Sequence, residues 1–205
     1  MNYSQIRSAA CADLKGHWAQ AAKLTFVYVL LCGFTAYLLW KLYLGADLLW
    51  CFIIMPLDWG YTVCFLRNAR SEADTFGIGN LFLGYCSGRV FTTLLLEVVY
   101  IFLWTLLLVV PGIIKMLSYA LTPFILCDYP ELKNQSALRL SSTMMKGHKW
   151  HLFCLLLSFI GWTLLAVLTL CIGFIWLKPY MYASFVQFYE QVRDEYGQKN
   201  VNPVI

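Results

Sequence analysis

Six stretches of this chain, 19–40, 47–67, 90–110, 113–128, 151–170 and 172–191, are runs of mostly apolar residues close to the length of a bilayer-crossing helix. A helix rises about 1.5 Å per residue, so a hydrocarbon core of about 30 Å calls for about 20 residues. Only a segment that satisfies its own backbone hydrogen bonds is stable there. Runs of this kind filling most of 205 residues imply an all-α, polytopic membrane helical bundle. With 60% hydrophobic and 13% charged side chains, the chain carries more apolar surface than a soluble core of that size can hide. A single membrane domain over 1–205 is expected. The polar, alanine-rich segment 2–16 lacks the pattern of a cleaved leader, so the N-terminus is expected to be retained.

Breaks around Gly45, at Pro111-Gly112 and near Cys171-Gly173 join the six runs into three hairpins. Orientation follows from the basic residues, which cytoplasmic loops retain. Arg7, Lys15 and Lys23 precede or open the first run, and Arg67, Arg70 and Arg89 lie between the second and third. Lys133, Arg139, Lys146 and Lys149 lie between the fourth and fifth, and Arg193 and Lys199 follow the sixth. Twelve of the 15 basic residues thus fall on one side, which places both termini in the cytoplasm of a cell-membrane protein. The other three, Lys41, Lys115 and Lys178, sit near the opposite end of one hairpin each.

That distribution suggests three variations on one unit, 1–67, 75–128 and 131–191, each an interfacial amphipathic segment followed by a hairpin. The string LWTLLLVVPGI (103–113) is similar to GWTLLAVLTLCIGF (161–174), and each second hairpin helix has a tyrosine before its exit: Tyr61, Tyr119 and Tyr182. In the longest polar segment, Asp128, Pro130 and Glu131 form a helix-start pattern. Beyond it Ala137, Leu140, Met144 and Met145 share one face, while Arg139, Ser142, Lys146 and Lys149 point elsewhere, as in a helix lying in the membrane plane.

Charged groups inside hydrocarbon cost about 2.5–3.5 kcal/mol or more, so each requires a reason. The two acids concerned are Asp58 and Glu97. Thr93, Glu97, Tyr100 and Trp104 share one helical face, Asp58 groups with Tyr61 and Thr62, and Lys115, Ser118, Tyr119 and Thr122 form a third seam. Tyr180, Ser184, Gln187 and Gln191 form a fourth. Two readings stand: interhelical glue, with Asp58 or Glu97 paired to Lys115, Lys178 or Arg89, and a polar cavity lined by Asp58, Glu97, Lys115, Ser118, Tyr119 and Thr122. The short fourth run, interrupted by Pro123, favours the cavity, because broken helices border binding sites in membranes.

No nucleophile elbow, zinc-protease helix, P-loop or dinucleotide fingerprint is present, so an enzyme is not expected. The eight cysteines contain no CxxC pair, and His148 and His151 lack a third ligand at a useful spacing, so neither metal nor cofactor is expected. Nucleic acid is not an expected partner; membrane lipids are, together with a second membrane protein under one reading below. The oligomeric state is open.

The strings LKGHW (14–18) and MKGHKW (145–150) recur just ahead of two apolar runs. Glycine weakens the end of the preceding helix, Lys and His reach toward head groups, and Trp settles at the interface. Lys15, His17, Trp18, Lys146, His148, Lys149 and Trp150 are therefore candidate lipid head-group contacts, with Trp18 and Trp150 on the same membrane face.

From Leu103 onward, the PGIIK turn, the Tyr-Ala…Pro-Phe-Ile-Leu helix, MKGHKW and LSFIGW together closely resemble a family of bacterial integral membrane proteins catalogued as domain of unknown function 975. LKGHW and GYTVCFLRNAR fit that resemblance, which implies six spans in the cytoplasmic membrane. The PG turn and the basic helix are more loosely similar to membrane domains attached to some glycerophosphodiester phosphodiesterases, a likeness that points toward lipid or head-group handling. The leading expectation is a non-enzymatic membrane protein for transport or head-group handling through a polar cavity. The alternative is a structural or regulatory subunit of another membrane complex.

Overall fold

The computed structural model describes residues 3–41, 46–72, 75–169 and 172–201, and among them every regular element is helical. The breaks expected around Gly45 and at Cys171 lie outside these residues, as do the side chains of Cys51 and Lys199 and the outermost residues of both termini. In chain order the elements are α1 (Tyr3–Asp13), α2 (Trp18–Lys41), α3 (Ala46–Ala69), a 3₁₀ helix (Ile78–Cys86), α4 (Gly88–Leu107), α5 (Val109–Tyr119), α6 (Thr122–Asp128), α7 (Asn134–Met144), α8 (Lys149–Leu168) and α9 (Phe174–Val201).

The repeated strings fold alike. Helices α1 and α7 are 11 residues each and begin and end 131 positions apart, from 3 to 134 and from 13 to 144; α2 and α8 begin at the same offset. Between them Gly16 and Gly147 have φ of +86° and +88°, a left-handed conformation that suits glycine and reverses the chain after a helix. The turn bonds match one for one: the His17 N–H donates to the Leu14 carbonyl at 3.0 Å and the His148 N–H to the Met145 carbonyl at 3.1 Å. Leu14 and Met145, at equivalent places, are both fully buried.

Among the described residues, four segments are long and apolar enough to cross a membrane: Trp18–Lys41, Gly88–Leu106, Val110–Asp128 and Lys149–Leu168. The six spans expected from the sequence are thus matched at four places by that measure. The other two long helices, α3 and α9, bear Asp58 and Arg67, and Lys178, Glu190 and Arg193. Helix α2 packs on α3, α4 on α5, and α8 on α9. In the apolar stretches of α2, α4 and α8 only 17%, 17% and 22% of residues are buried, against 50% for Val110–Asp128. Outward side chains such as Phe34, Trp40, Phe102, Leu106, Leu164 and Leu168 are large and apolar, as a hydrocarbon solvent permits. Tyr61 and Phe65 of α3, Ile125 of α6, and Phe188 and Tyr189 of α9 are among the most buried side chains.

The short elements brace this interior. Helix α1 packs on α9, the 3₁₀ helix on α3, and α7 on α4, α5 and α6. Gly60 of α3 lies against the backbone of Asn80 and Leu81, and Gly84 lies against the backbone of Pro56, so any side chain at either glycine would collide with main chain.

Three local expectations change. Asp128 does not open the following helix: α7 begins six residues later, and Asp128 closes α6, where arginines compete for its carboxylate. The corner expected at Pro111-Gly112 falls at Leu108, whose extended backbone (φ −162°, ψ 139°) separates α4 from α5; Pro111 then sits in a first turn, where no N–H is missed. The fourth run is broken at Ala120 and Leu121, just before Pro123. Proline leaves the Tyr119 carbonyl without its usual N–H, and the Thr122 hydroxyl donates to it instead at 2.7 Å. The Ser141 hydroxyl of α7 donates to the Ser118 carbonyl at 2.9 Å, and Trp59 Nε1–H to the Pro123 carbonyl at 3.0 Å.

Candidate functional site

Asp58 stands one turn before Tyr61 and Thr62 on α3, so the three share a face. That face meets α2 and α9. The Tyr182 hydroxyl donates to both Asp58 oxygens at 2.7 and 2.8 Å, and the Tyr28 hydroxyl to Oδ1 at 3.0 Å. Lys178 Nζ lies 3.7 Å from the same Oδ1. Thr25 spends its single proton on the Ala21 carbonyl at 2.8 Å, so the 2.8 Å contact between Thr25 Oγ1 and the Tyr61 hydroxyl has tyrosine as donor. Lys178 Nζ lies 3.3 Å from the ring centroid of Tyr28, 4.8 Å from that of Tyr61 and 5.5 Å from that of Tyr182. One ammonium is thus held by a carboxylate and three aromatic rings, each favourable to a cation.

Asp58 also lines a cavity of about 250 Å³ between α3, the α5–α6 break, α8 and α9, with Thr62, Leu121, Pro123 and Tyr182 among its walls. Further along the same helices an ion cluster ties the ends of α3 and α6 to the second half of α9. Arg70, just beyond α3, makes two parallel bonds to Asp128 of α6 at 2.6 and 2.8 Å and a third to Glu190 of α9 at 2.9 Å. Tyr189 donates to Asp128 at 2.7 Å, and Arg193 pairs with both Glu190 and Asp128. The hydrogen bonds it donates to Asp128 hold the Arg70 guanidinium, already strongly basic, above its ordinary value.

The residues expected to share one polar interior are divided between places. Asp58 is in the box just described. Ser118 and Thr122 are fully buried but donate to nearby backbone, Ser118 to the Ile114 carbonyl at 2.7 Å and Thr122 to the Tyr119 carbonyl across the α5–α6 break. Lys115 lies 4.9 Å from the Trp104 ring centroid and, with Tyr100 and Tyr119, lines a separate hollow of about 240 Å³ facing Gln135, Arg139 and Ser142 of α7. Glu97 of α4 is in neither, and its Oε2 is buried without a hydrogen-bond partner among the described residues. Of the pairings expected, Asp58 with Lys178 is formed; Arg89 instead donates to the Leu132 carbonyl at 3.2 Å.

Among the candidate head-group contacts, Lys15, His17, Lys146 and Trp150 are exposed. His148 Nε2 lies 3.4 Å from Glu195 of α9. Trp18 opens α2 and lines a groove of about 630 Å³ with Arg7, Trp162 and Trp176, whereas Trp150 is the second residue of α8. Lys149, not Trp150, is the positional equivalent of Trp18. The extra lysine in MKGHKW rotates the second tryptophan by one helical position, which explains its 68% exposure.

From the sequence, Lys178 is one of three possible partners for Asp58 or Glu97, Tyr182 marks a helix exit, Arg70 and Arg193 count toward the cytoplasmic side, and Tyr28 is not singled out. Acids and arginines near the ends of the second, fourth and sixth apolar runs were the available signal for the ion cluster. Tyr28 had none, since nothing local tells an inward tyrosine from an outward one in an apolar run.

No curated protein and no solved structure matches the chain. A family model does match, over residues 91–196, which takes in all but the first residues of α4 and most of α9. The matched stretch holds Lys178 and Tyr182 of the box and the Asp128, Glu190 and Arg193 of the ion cluster, while Tyr28, Asp58, Tyr61 and Arg70 lie ahead of it; on this match the chain belongs to the family described as protein of unknown function DUF975.

Proposed function

We propose that this is a non-enzymatic cell-membrane protein of six spans, arranged as three hairpins with both termini cytoplasmic, that binds and moves a small polar solute or lipid head group through the cavity beside Asp58. In this arrangement α2, α4 and α8 face lipid, and α3, α5–α6 and α9 form the centre. Each short leading element packs on the closing helix of another hairpin, which supports a repeat over 1–67, 75–128 and 131–191. The observation that carries the reading is Asp58: a carboxylate twelve residues, about 18 Å of helix, from the ion cluster, held by two tyrosines and a lysine, and opening on a cavity. The exposed Lys15, His17 and Lys146 support contact with anionic lipid at the surface.

The test is reconstitution in liposomes, with one assay for movement of a fluorescent phospholipid and another for release of small trapped solutes. Movement that drops in Asp58→Asn supports the reading; equal movement in both proteins, or none in the wild type, overturns it. The alternative, a structural or regulatory subunit, is favoured by Ser118 and Thr122, whose hydroxyls donate to backbone carbonyls. It predicts a stably co-purifying membrane protein after mild extraction.

A further inference from the structure

The box around Lys178 has the make-up of a ligand site. Three tyrosine rings from three helices, Tyr28 of α2, Tyr61 of α3 and Tyr182 of α9, surround one position with ring centroids 3.3, 4.8 and 5.5 Å from the nitrogen that occupies it. Tyr61 and Tyr182 meet edge to face with centroids 4.7 Å apart, and Tyr28 and Tyr61 are tilted at 5.1 Å, so the walls are set by packing among themselves as well as by the ammonium. The Tyr28 and Tyr182 hydroxyl protons are spent on Asp58, and that of Tyr61 on Thr25. What the box offers is therefore ring faces and one carboxylate, with few acceptors for individual N–H groups. Such a lining favours a diffuse positive charge, and an alkylated ammonium would meet the same faces with its nitrogen farther from Tyr28 than the 3.3 Å that Lys178 keeps.

Lys178 reaches the box on a flexible four-carbon stem from the first turns of α9, immediately before Pro179. Its removal from the box requires rotation of one side chain and no helix movement. The cavity lined by Asp58 and Tyr182, at 250 Å³ equal to the bulk volume of about eight waters, has room for a small ammonium head group next to the same carboxylate.

We propose that Tyr28, Tyr61, Tyr182 and Asp58 form a binding site for an alkylated organic ammonium, and that Lys178 is its internal occupant, which the ligand displaces. The assignment rests on the cavity reading above and names the class of molecule that the cavity accepts. Lysine in the box keeps Asp58 neutralised when no ligand is present, which avoids an isolated charge in hydrocarbon. A ligand cation takes over that role as it enters, so the site is never without a positive charge.

The full chain in phosphatidylglycerol nanodiscs, which carry no ammonium head groups, tests this with tetramethylammonium as probe. Bound probe measured by equilibrium dialysis is expected to rise about tenfold in affinity on Lys178→Met, where the internal competitor is gone, and to fall to background when Asp58→Asn is added. In the wild type, the probe is expected to raise acylation of Lys178 by an amine-reactive ester several-fold. The exposed Lys15 and Lys146 serve as internal standards, and equal sodium chloride as the ionic-strength control. Unchanged Lys178 labelling overturns the proposal even if Lys178→Met does not fold, as does probe binding in Lys178→Met that ignores Asp58→Asn. Asp58-dependent movement in liposomes with no probe binding overturns the ammonium site and leaves the cavity reading standing; probe binding with no movement supports the site and removes the transport role.

Discussion

The Tyr182 hydroxyl, on the last long helix, bridges both carboxylate oxygens of Asp58 at 2.7 and 2.8 Å across 124 residues of sequence. Loss of that donor in Tyr182→Phe leaves Asp58 with Tyr28 and Lys178, and thermal unfolding in detergent is expected to show a loss of about 1–2 kcal/mol. Asp58→Asn is expected to cost more, about 1–3 kcal/mol, because it also strips Lys178 of its counter-ion; the 43% exposure of the Asp58 side chain keeps the figure below that of a sealed ion pair. The pair Asp58→Asn with Lys178→Met should lose less than the two single changes together, since the second removes the stranded charge. Strict additivity would mean that the 3.7 Å approach carries no coupling.

Gly16 and Gly147 provide a matched experiment. An added Cβ meets nothing within 4 Å at either position, so alanine is penalised only by the left-handed φ of +86° or +88°. Each Gly→Ala change should therefore destabilise by about 1–2 kcal/mol, and Gly→Asn by less, because asparagine tolerates that region. The two sites should respond alike in melting temperature. A large effect at one and none at the other would show that the shared turn bonds do not make the two turns equivalent.

How much of this was legible beforehand depends on the range of the signal. The apolar runs are local, and they located α2, α4, α5–α6 and α8 well, because about 20 apolar residues have few alternatives to a membrane helix. The repeated KGH string is also local, and it did mark two turns of the same geometry. Asp58 could be singled out because a charge in a long apolar run is conspicuous. Lys178 was one of three candidate partners for it, but the choice among them, and the tyrosines Tyr28 and Tyr182, could not be read, because they come from helices whose relative rotation depends on packing between distant segments. The grouping of Asp58 with Glu97 and Lys115 failed for the same reason: membership of one face on each of three helices says nothing about which faces meet. Asp128 was misplaced because its helix-start pattern is a local option, and arginines brought in from α3 and α9 outcompete it.

The break between α5 and α6 yields a separate prediction. The Thr122 hydroxyl, donating at 2.7 Å, replaces the N–H that Pro123 cannot offer to the Tyr119 carbonyl. Thr122→Val keeps the shape and removes the donor, so it should cost about 1–3 kcal/mol as a buried carbonyl loses its partner, while Thr122→Ser should be close to wild type. Restoring an N–H with Pro123→Ala in the valine background should recover part of the loss, measured as unfolding midpoint. No recovery would mean that the break is maintained by packing around Leu121 and Phe124 and not by the missing backbone bond.

The carboxylate of Asp13, at the end of α1, gives the chain a pH dependence whose sign is fixed. Burial raises its pKa above the usual carboxylate value, only partly offset by the hydrogen bond donated by Gln187 of α9. For an acid raised on folding, the stabilisation belongs to the protonated form: it is full below the unfolded value of about 3.9 and is lost as pH rises through the folded one. The side-chain amide introduced by Asp13→Asn would still accept from Gln187 through its oxygen and could not ionise. The variant should therefore match the wild type near pH 3.5 and become the more stable of the two toward pH 7, the gap opening over the pH units just above the ordinary carboxylate range, about 3.9 for aspartate. Melting temperatures taken across that range decide the point. A gap that is constant with pH, or one that favours aspartate at neutrality, would mean that the bond to Gln187 outweighs the burial of the charge and that α1 docks on α9 more strongly with Asp13 ionised.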